Sequence, residues 1–245
     1  MHVSFSSPSG GGGREADGEG FGTQSPAVAS QSPPPPLRGY SSQRGERQRR
    51  RPPLASGPMC NQHKLKTAVE EIGDIFSRLQ APLSYPEAVP NLEPREAVSI
   101  TDRAPIVRPG DDGLELVVRP WSWKGPSGAP VFNFRSDGRR FANAGRCAIP
   151  TDGFYEFTAP QDPKARRKDR WLFTMEGEGL FFIAGVVREN AWAMLTCEPG
   201  PDMAPFHNRQ VVVLSPRAAV DWVRGGAESA LLRPSAAGTL RAERV

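Results

Sequence analysis

The sequence predicts an α+β fold, a mainly antiparallel β-barrel-like core with a few short helices. Short runs rich in β-branched and aromatic residues succeed one another through the second half of the chain. Turn residues such as Glu176-Gly177-Glu178-Gly179 and Glu189-Asn190 separate them. Helical periodicity is confined to one stretch before these runs and one after them. No internal repeat interrupts this order.

Residues 1–58 read as a low-complexity leader. Gly10 to Gly13, the run Pro33 to Pro36 and an arginine-rich stretch from Arg44 to Arg51 leave few apolar residues and no periodicity. Such a segment cannot bury enough surface to offset its ordering entropy, so disorder, or a start codon assigned too early, is expected. A phosphate-binding arm is the alternative use of its arginines. The leader holds seven arginines against four acids, and the remainder 24 basic against 23 acidic residues. Bulk charge therefore does not by itself demonstrate a nucleic-acid surface.

A patterned domain is expected over 59–230. Leu65, Val69, Ile72, Ile75, Phe76 and Leu79 mark one face of a helix across Leu65–Leu79, with Glu70, Glu71, Asp74 and Arg78 opposite. Pro82 to Pro94 is a connector. Strands follow at Leu114–Val118, Val131–Phe134, Phe154–Thr158, Trp171–Met175, Leu180–Val187, Ala191–Cys197 and Gln210–Leu214. Several are apolar almost throughout, as central strands are. Pro216–Val223 reads as a helix with proline in its first turn. Residues 231–245 read as a weakly ordered tail, frayed from Ser235 onward.

At 245 residues the chain can build a single sizeable core. It has no apolar run of about 18 residues, which excludes a membrane-spanning helix. It also lacks a secretory pattern at its beginning, so a cytoplasmic location is expected. Cys60, Cys147 and Cys197 are an odd set without CxxC spacing, against a disulfide framework or a zinc site.

Chemistry concentrates in four segments. Cys60 follows Met59, so cleavage between them would expose an α-amine beside a thiol. Together these two nucleophiles condense with an aldehyde, first as a Schiff base and then as a five-membered thiazolidine. Asn133 and Arg135, two apart on a strand, share a face and suit a phosphate or sugar oxygen, or else form a wet polar face. Glu156 lies among Phe154, Tyr155 and Phe157, where desolvation would raise its pKa toward acid/base use. On an edge strand it would simply face water. His207 stands beside Arg209 at a loop-to-strand junction. His63, near Cys60, is expected to be exposed. Trp121 and Trp123 form either a stacking wall for a nucleobase or part of the core. Asp111-Asp112 and Lys164–Arg170 read as solvated loops.

Together these segments resemble the SRAP family of SOS response-associated, abasic-site processing proteins. The matching strings are Met59-Cys60, Asn133-Phe134-Arg135, Cys147-Ala148-Ile149-Pro150-Thr151-Asp152-Gly153-Phe154-Tyr155-Glu156 and His207-Asn208-Arg209. Ile100-Thr101-Asp102-Arg103-Ala104-Pro105 is similar to the family's Ala-Pro segment. The family's Gly-Arg after the cysteine is Asn61-Gln62 here, and its acid-Thr after Asn-x-Arg-x is Asp137-Gly138.

The resemblance implies a protein that binds single-stranded DNA and cross-links to abasic sites through Cys60, after self-processing peptidase activity removes what precedes it. It implies acid/base work by Glu156, proton transfer at His207, and Asn133 holding the Cys60 terminus or the sugar. Arg135 and Arg209 would contact phosphates. It implies no metal and no organic cofactor, and a monomer that associates with the nucleoid when bound to damaged DNA. The alternatives are a non-catalytic single-strand-binding module, or a cysteine peptidase acting on other proteins through Cys60, His207 and Glu156.

Overall fold

The structure, a computed structural model, describes residues 60–162 and 164–245. What was expected of residues 1–58, and Met59 itself, lies outside the described residues. The order of elements is β1 (Gln62–Leu65), α1 (Val69–Arg78), β2 (Leu83–Ser84), β3 (Arg95–Ser99), β4 (Arg103–Gly110), β5 (Gly113–Pro120), β6 (Trp123–Lys124), β7 (Pro130–Val131) and β8 (Asn133–Arg135). A single 3₁₀ turn, Asn143–Gly145, leads into β9 (Arg146–Thr151) and β10 (Gly153–Thr158). Then come β11 (Asp169–Met175), β12 (Phe181–Arg188), β13 (Ala191–Cys197), β14 (Gln210–Val211), β15 (Val213–Leu214), α2 (Pro216–Val223), α3 (Glu228–Leu231) and β16 (Leu240–Arg244).

Two sheets carry the core. The first has the order β16-β11-β10-β1-β3 and is antiparallel throughout. The second runs β14-β13-β12-β9-β4-β5-β2, with β15 against β12 and β8 parallel to β13. The chain crosses between them at Thr151-Asp152-Gly153, where β9 of one sheet turns into β10 of the other. Phe154, stacked on Phe173 at 5.2 Å, meets Phe181 of the second sheet edge-on at 6.4 Å, which joins the two inner faces.

The mixed, mostly antiparallel α+β class agrees with the expectation, but barrel closure does not. Among the described residues no ladder joins the ends of either sheet. The end strands β2 and β14 have two residues each, too short to pair across a gap.

Local chemistry explains the helices. In α1 the buried Val69, Ile72 and Phe76 face the second sheet, and Phe76 meets Phe182 edge-on at 5.4 Å. Before α1 the chain is extended, not helical, because His63 and Leu65 point inward from β1 with period two. In α2, Ser215 caps the first turn by accepting from Ala218 N, and Pro216 sits where no N–H partner is needed. Trp222 donates from its indole to Cys147 O at 2.9 Å, anchoring α2 on β9.

The predicted strand Val131–Phe134 is divided between β7 and β8, and Gln210–Leu214 between β14 and β15. The tail expected to fray instead supplies β16. It pairs with β11 from Trp171↔Arg244 to Met175↔Leu240, buries Leu240, and sets Arg244 against Asp169 at 2.5 Å. Only one of its faces is covered, so its composition stays too polar to read as a strand. Replacing Leu240 with Ala should cost about 2 kcal/mol, a fall in melting temperature of about 4–8 °C. Thermal unfolding of Leu240→Ala would show no shift if the tail were frayed.

Candidate active site around Cys60 and Glu156

Cys60 lies just before β1 and is 1% exposed. Its main-chain nitrogen donates to Glu156 Oε1 at 2.9 Å, and its carbonyl accepts from Asn133 Nδ2 at 3.2 Å. Its thiol lies 3.5 Å from Gln62 O and 4.0 Å from the Met194 thioether. A buried carboxyl and an amide thus hold the two backbone groups that flank this residue, while its sulfur rests among weaker partners.

The string Thr151-Asp152-Gly153-Phe154-Tyr155-Glu156 builds this arrangement. Asp152 donates its backbone N–H to Lys64 O at 2.9 Å, and its carboxylate accepts from Lys66 N and from Thr67 N at 3.2 Å. That satisfies donors at the entry to α1, where Ala68 offers no side-chain cap. At Gly153 a Cβ would fall 2.7 Å from Leu172 Cδ1 and 2.9 Å from Phe173 O, so a side chain would push β10 off β11. Tyr155 points to the other face, donating to Glu96 O beneath the Arg170 guanidinium, 3.7 Å above its ring. Alternation then turns Glu156 inward toward Cys60.

Burial sets the electrostatics. Removal from water raises the Glu156 carboxyl to about 8, partly opposed by the Cys60 and Phe157 backbone N–H groups. The same burial, with the Glu156 charge second, pushes the Cys60 thiol well up. At neutral pH both groups therefore hold their protons. Burial also raises Cys147, and it raises Cys197 to about 12. His63, expected to be exposed, is fully buried, edge-on to Trp121 at 5.6 Å and Trp192 at 6.0 Å. Desolvation lowers it to about 3, so it is a neutral core ring.

The other expected site residues separate into two sets. Asn133 and Arg135 share one face of β8, with Asn133 on Cys60 and Arg135 exposed. His207 is buried, and its Nδ1 accepts from Arg209 N at 3.1 Å. Arg209 is not an open phosphate ligand: it pairs with Asp137 at 2.6 Å and donates to Thr196 O and Oγ1. Trp121 is a core residue, not part of a stacking wall, whereas Trp123, 8% exposed, packs beside Phe134. Trp121 stacks on Trp192 at 5.0 Å and donates to Phe132 O, leaving no face for a base.

Met194 and Thr196 touch the site from β13, yet lie in an apolar run with no sequence signal. Trp171 is placed directly opposite Glu156 by the β10–β11 register, which only the pairing reveals. Among the described residues no group of three or more His, Cys, Asp or Glu gathers to hold a metal ion.

Glu156 makes stability depend on pH. Its folded pKa lies above its unfolded one, so the contribution is whole below about 4.5 and is lost as pH rises toward about 8. The loss should be on the order of a few kcal/mol. In Glu156→Gln, which keeps an acceptor for Cys60 N, unfolding free energy measured from pH 5 to 8 should lose this decline.

Comparison with known proteins supplies the context. No curated protein matches the chain. Similar folds occur in a solved protein of Bacteroides thetaiotaomicron (15% identity, TM-score 0.56, covering 76% of this chain and 92% of that one). A phage-related protein of Bordetella bronchiseptica is similar at 18% identity and TM-score 0.51, covering 76% and 94%. A second protein of that organism is similar at 21% and TM-score 0.54, covering 76% and 99%. At these identities the likeness is one of fold. The model of the SOS response associated peptidases matches residues 59–245, the whole of the Cys60–Glu156 site included. The chain belongs to this family, SRAP.

Proposed function

We propose that this protein binds single-stranded DNA and captures abasic sites covalently through Cys60. The observation that carries the reading is the 2.9 Å contact from the Cys60 main-chain nitrogen, not its thiol, to the buried carboxyl of Glu156. A thiol nucleophile of the peptidase kind needs a thiolate, and burial works against one here. A nitrogen nucleophile needs a nearby group able to give and take protons, which a carboxyl with a pKa of about 8 can do at neutral pH.

Two steps follow. Water adds to the Met59 carbonyl and the Met59–Cys60 bond breaks, with Glu156 delivering the proton that the departing nitrogen needs. The freed amine then attacks the C1′ aldehyde of a ring-opened abasic sugar. The carbinolamine loses water to a Schiff base, and His207 and Glu156 handle the protons. Finally the thiol adds across the C=N bond, its sulfur to carbon and its proton to nitrogen, closing the thiazolidine. One water is released in the capture and nothing is oxidised. Asn133 holds the Cys60 carbonyl so that nitrogen and sulfur face the same carbon. Arg135, exposed on the same face, is the phosphate contact.

Protein beginning at Met59 should form a denaturation-resistant adduct with single-stranded DNA carrying one abasic site, read on a denaturing gel. Cys60→Ala should abolish it, and Glu156→Gln should slow it by about 100-fold. Intact mass should show Met59 missing from the adduct-forming species. An equally strong adduct from protein that keeps a residue ahead of Cys60 would refute the amine mechanism.

A further inference from the structure

A cavity of about 430 Å³ opens behind β8, and Phe134, Phe141, Trp123, Arg139, Arg140 and Arg188 line it. Side chains alternate along a strand, so Phe134 faces this cavity while Asn133 and Arg135 lie on the other face, where Asn133 reaches Cys60 O. Its wall is aromatic: Phe134 lies 6.3 Å from Phe141 and 6.4 Å from Trp123 between ring centroids. Its rim is cationic. Arg139 lies over the Phe134 ring at 4.5 Å, and Arg140 is 95% exposed with only a 3.9 Å approach to Glu228. That carboxylate is already taken by Phe141 N and Arg146. Arg188 reaches Glu189 at 3.3 Å, and among the described residues no acidic side chain lines the cavity.

The turn Ser136–Arg139 ties the cavity to the site. Arg139 N donates to Ser136 O, and Gly138 takes the positive φ of 68° that the turn requires. Asp137 on this turn is held by Arg209, two residues after His207. Among the described strands β8 pairs only with β13, at one border of that sheet.

We propose that this cavity is a nucleotide subsite, taking a neighbour of the abasic residue as the DNA strand passes over the β8 edge. The base packs on the Phe134–Phe141 wall or on the Arg139 guanidinium plane, and the adjoining phosphate lies between Arg139 and Arg140. The inference rests on the single-strand binding proposed above, though not on the covalent step.

The test uses the full chain and oligonucleotides with one central abasic residue and a single 5-bromodeoxyuridine at successive positions on either side. After irradiation, mass spectrometry of the cross-linked peptides should place one neighbour on residues 132–141. Arg139→Ala/Arg140→Ala should keep the wild-type melting temperature, since both residues are exposed. It should bind unmodified oligo-dT about tenfold more weakly, with a salt slope shallower by about one to two. Cross-links confined to other peptides, or wild-type affinity and slope in the double variant, would overturn the subsite. An adduct at Cys60 without the cavity cross-link removes the subsite and leaves the capture reading standing. The cavity cross-link without any adduct does the reverse.

Discussion

The structure depends on one buried hydrogen bond, from the backbone of Cys60 to the carboxyl of Glu156. An isolated charge at such depth would be prohibitively costly, so the site keeps the carboxyl protonated at neutral pH and satisfies it with main-chain donors. Everything around it keeps those donors in place. Asp152 fastens the β1–α1 junction, the bare α-carbon of Gly153 lets β10 lie close to β11, and Asn133 reaches from the opposite sheet to the Cys60 carbonyl. The site is thus a seam between two sheets.

This division explains why one short string is so informative. Asp152 and Gly153 serve the fold, Tyr155 serves the outer face under Arg170, and only Glu156 reaches the backbone of Cys60. These duties fall on residues at fixed offsets because strand alternation assigns each a side. A change at Gly153 would displace the carboxyl as surely as a change at Glu156, by moving the strand that carries it.

Much of this was legible in the sequence, and the losses have physical causes. Proline in the first turn gave α2 its true limits, and the apolar run from Ala191 gave β13. Glu156 and Asn133 were found because polar residues stood where apolar ones would pack better. Trp121 was open to two readings because an indole in the core and one on the surface look alike in a string; its partner Trp192 is far along the chain. His63 was misplaced for the same reason, since two distant tryptophans bury it. The expected helix began too early because Leu65, the last residue of β1, stands four before Val69 and so falls on the same helical face. Barrel closure was inferred from the number of strands, whereas the strands divide between two sheets whose ends no ladder joins among the described residues.

The depth of the Cys60 sulfur has a consequence for how the residue lasts in the cell. Peroxides attack thiolates, and oxidation beyond the sulfenic acid is not readily undone. A thiol that burial holds in its protonated form presents little thiolate. Among the described residues the sulfur in contact with it is the Met194 thioether at 4.0 Å, which cannot resolve a sulfenic acid into a disulfide. Durability here therefore comes from denying the oxidant its substrate, without a repair partner, and it lasts only while the Glu156 side of the seam stays closed to water.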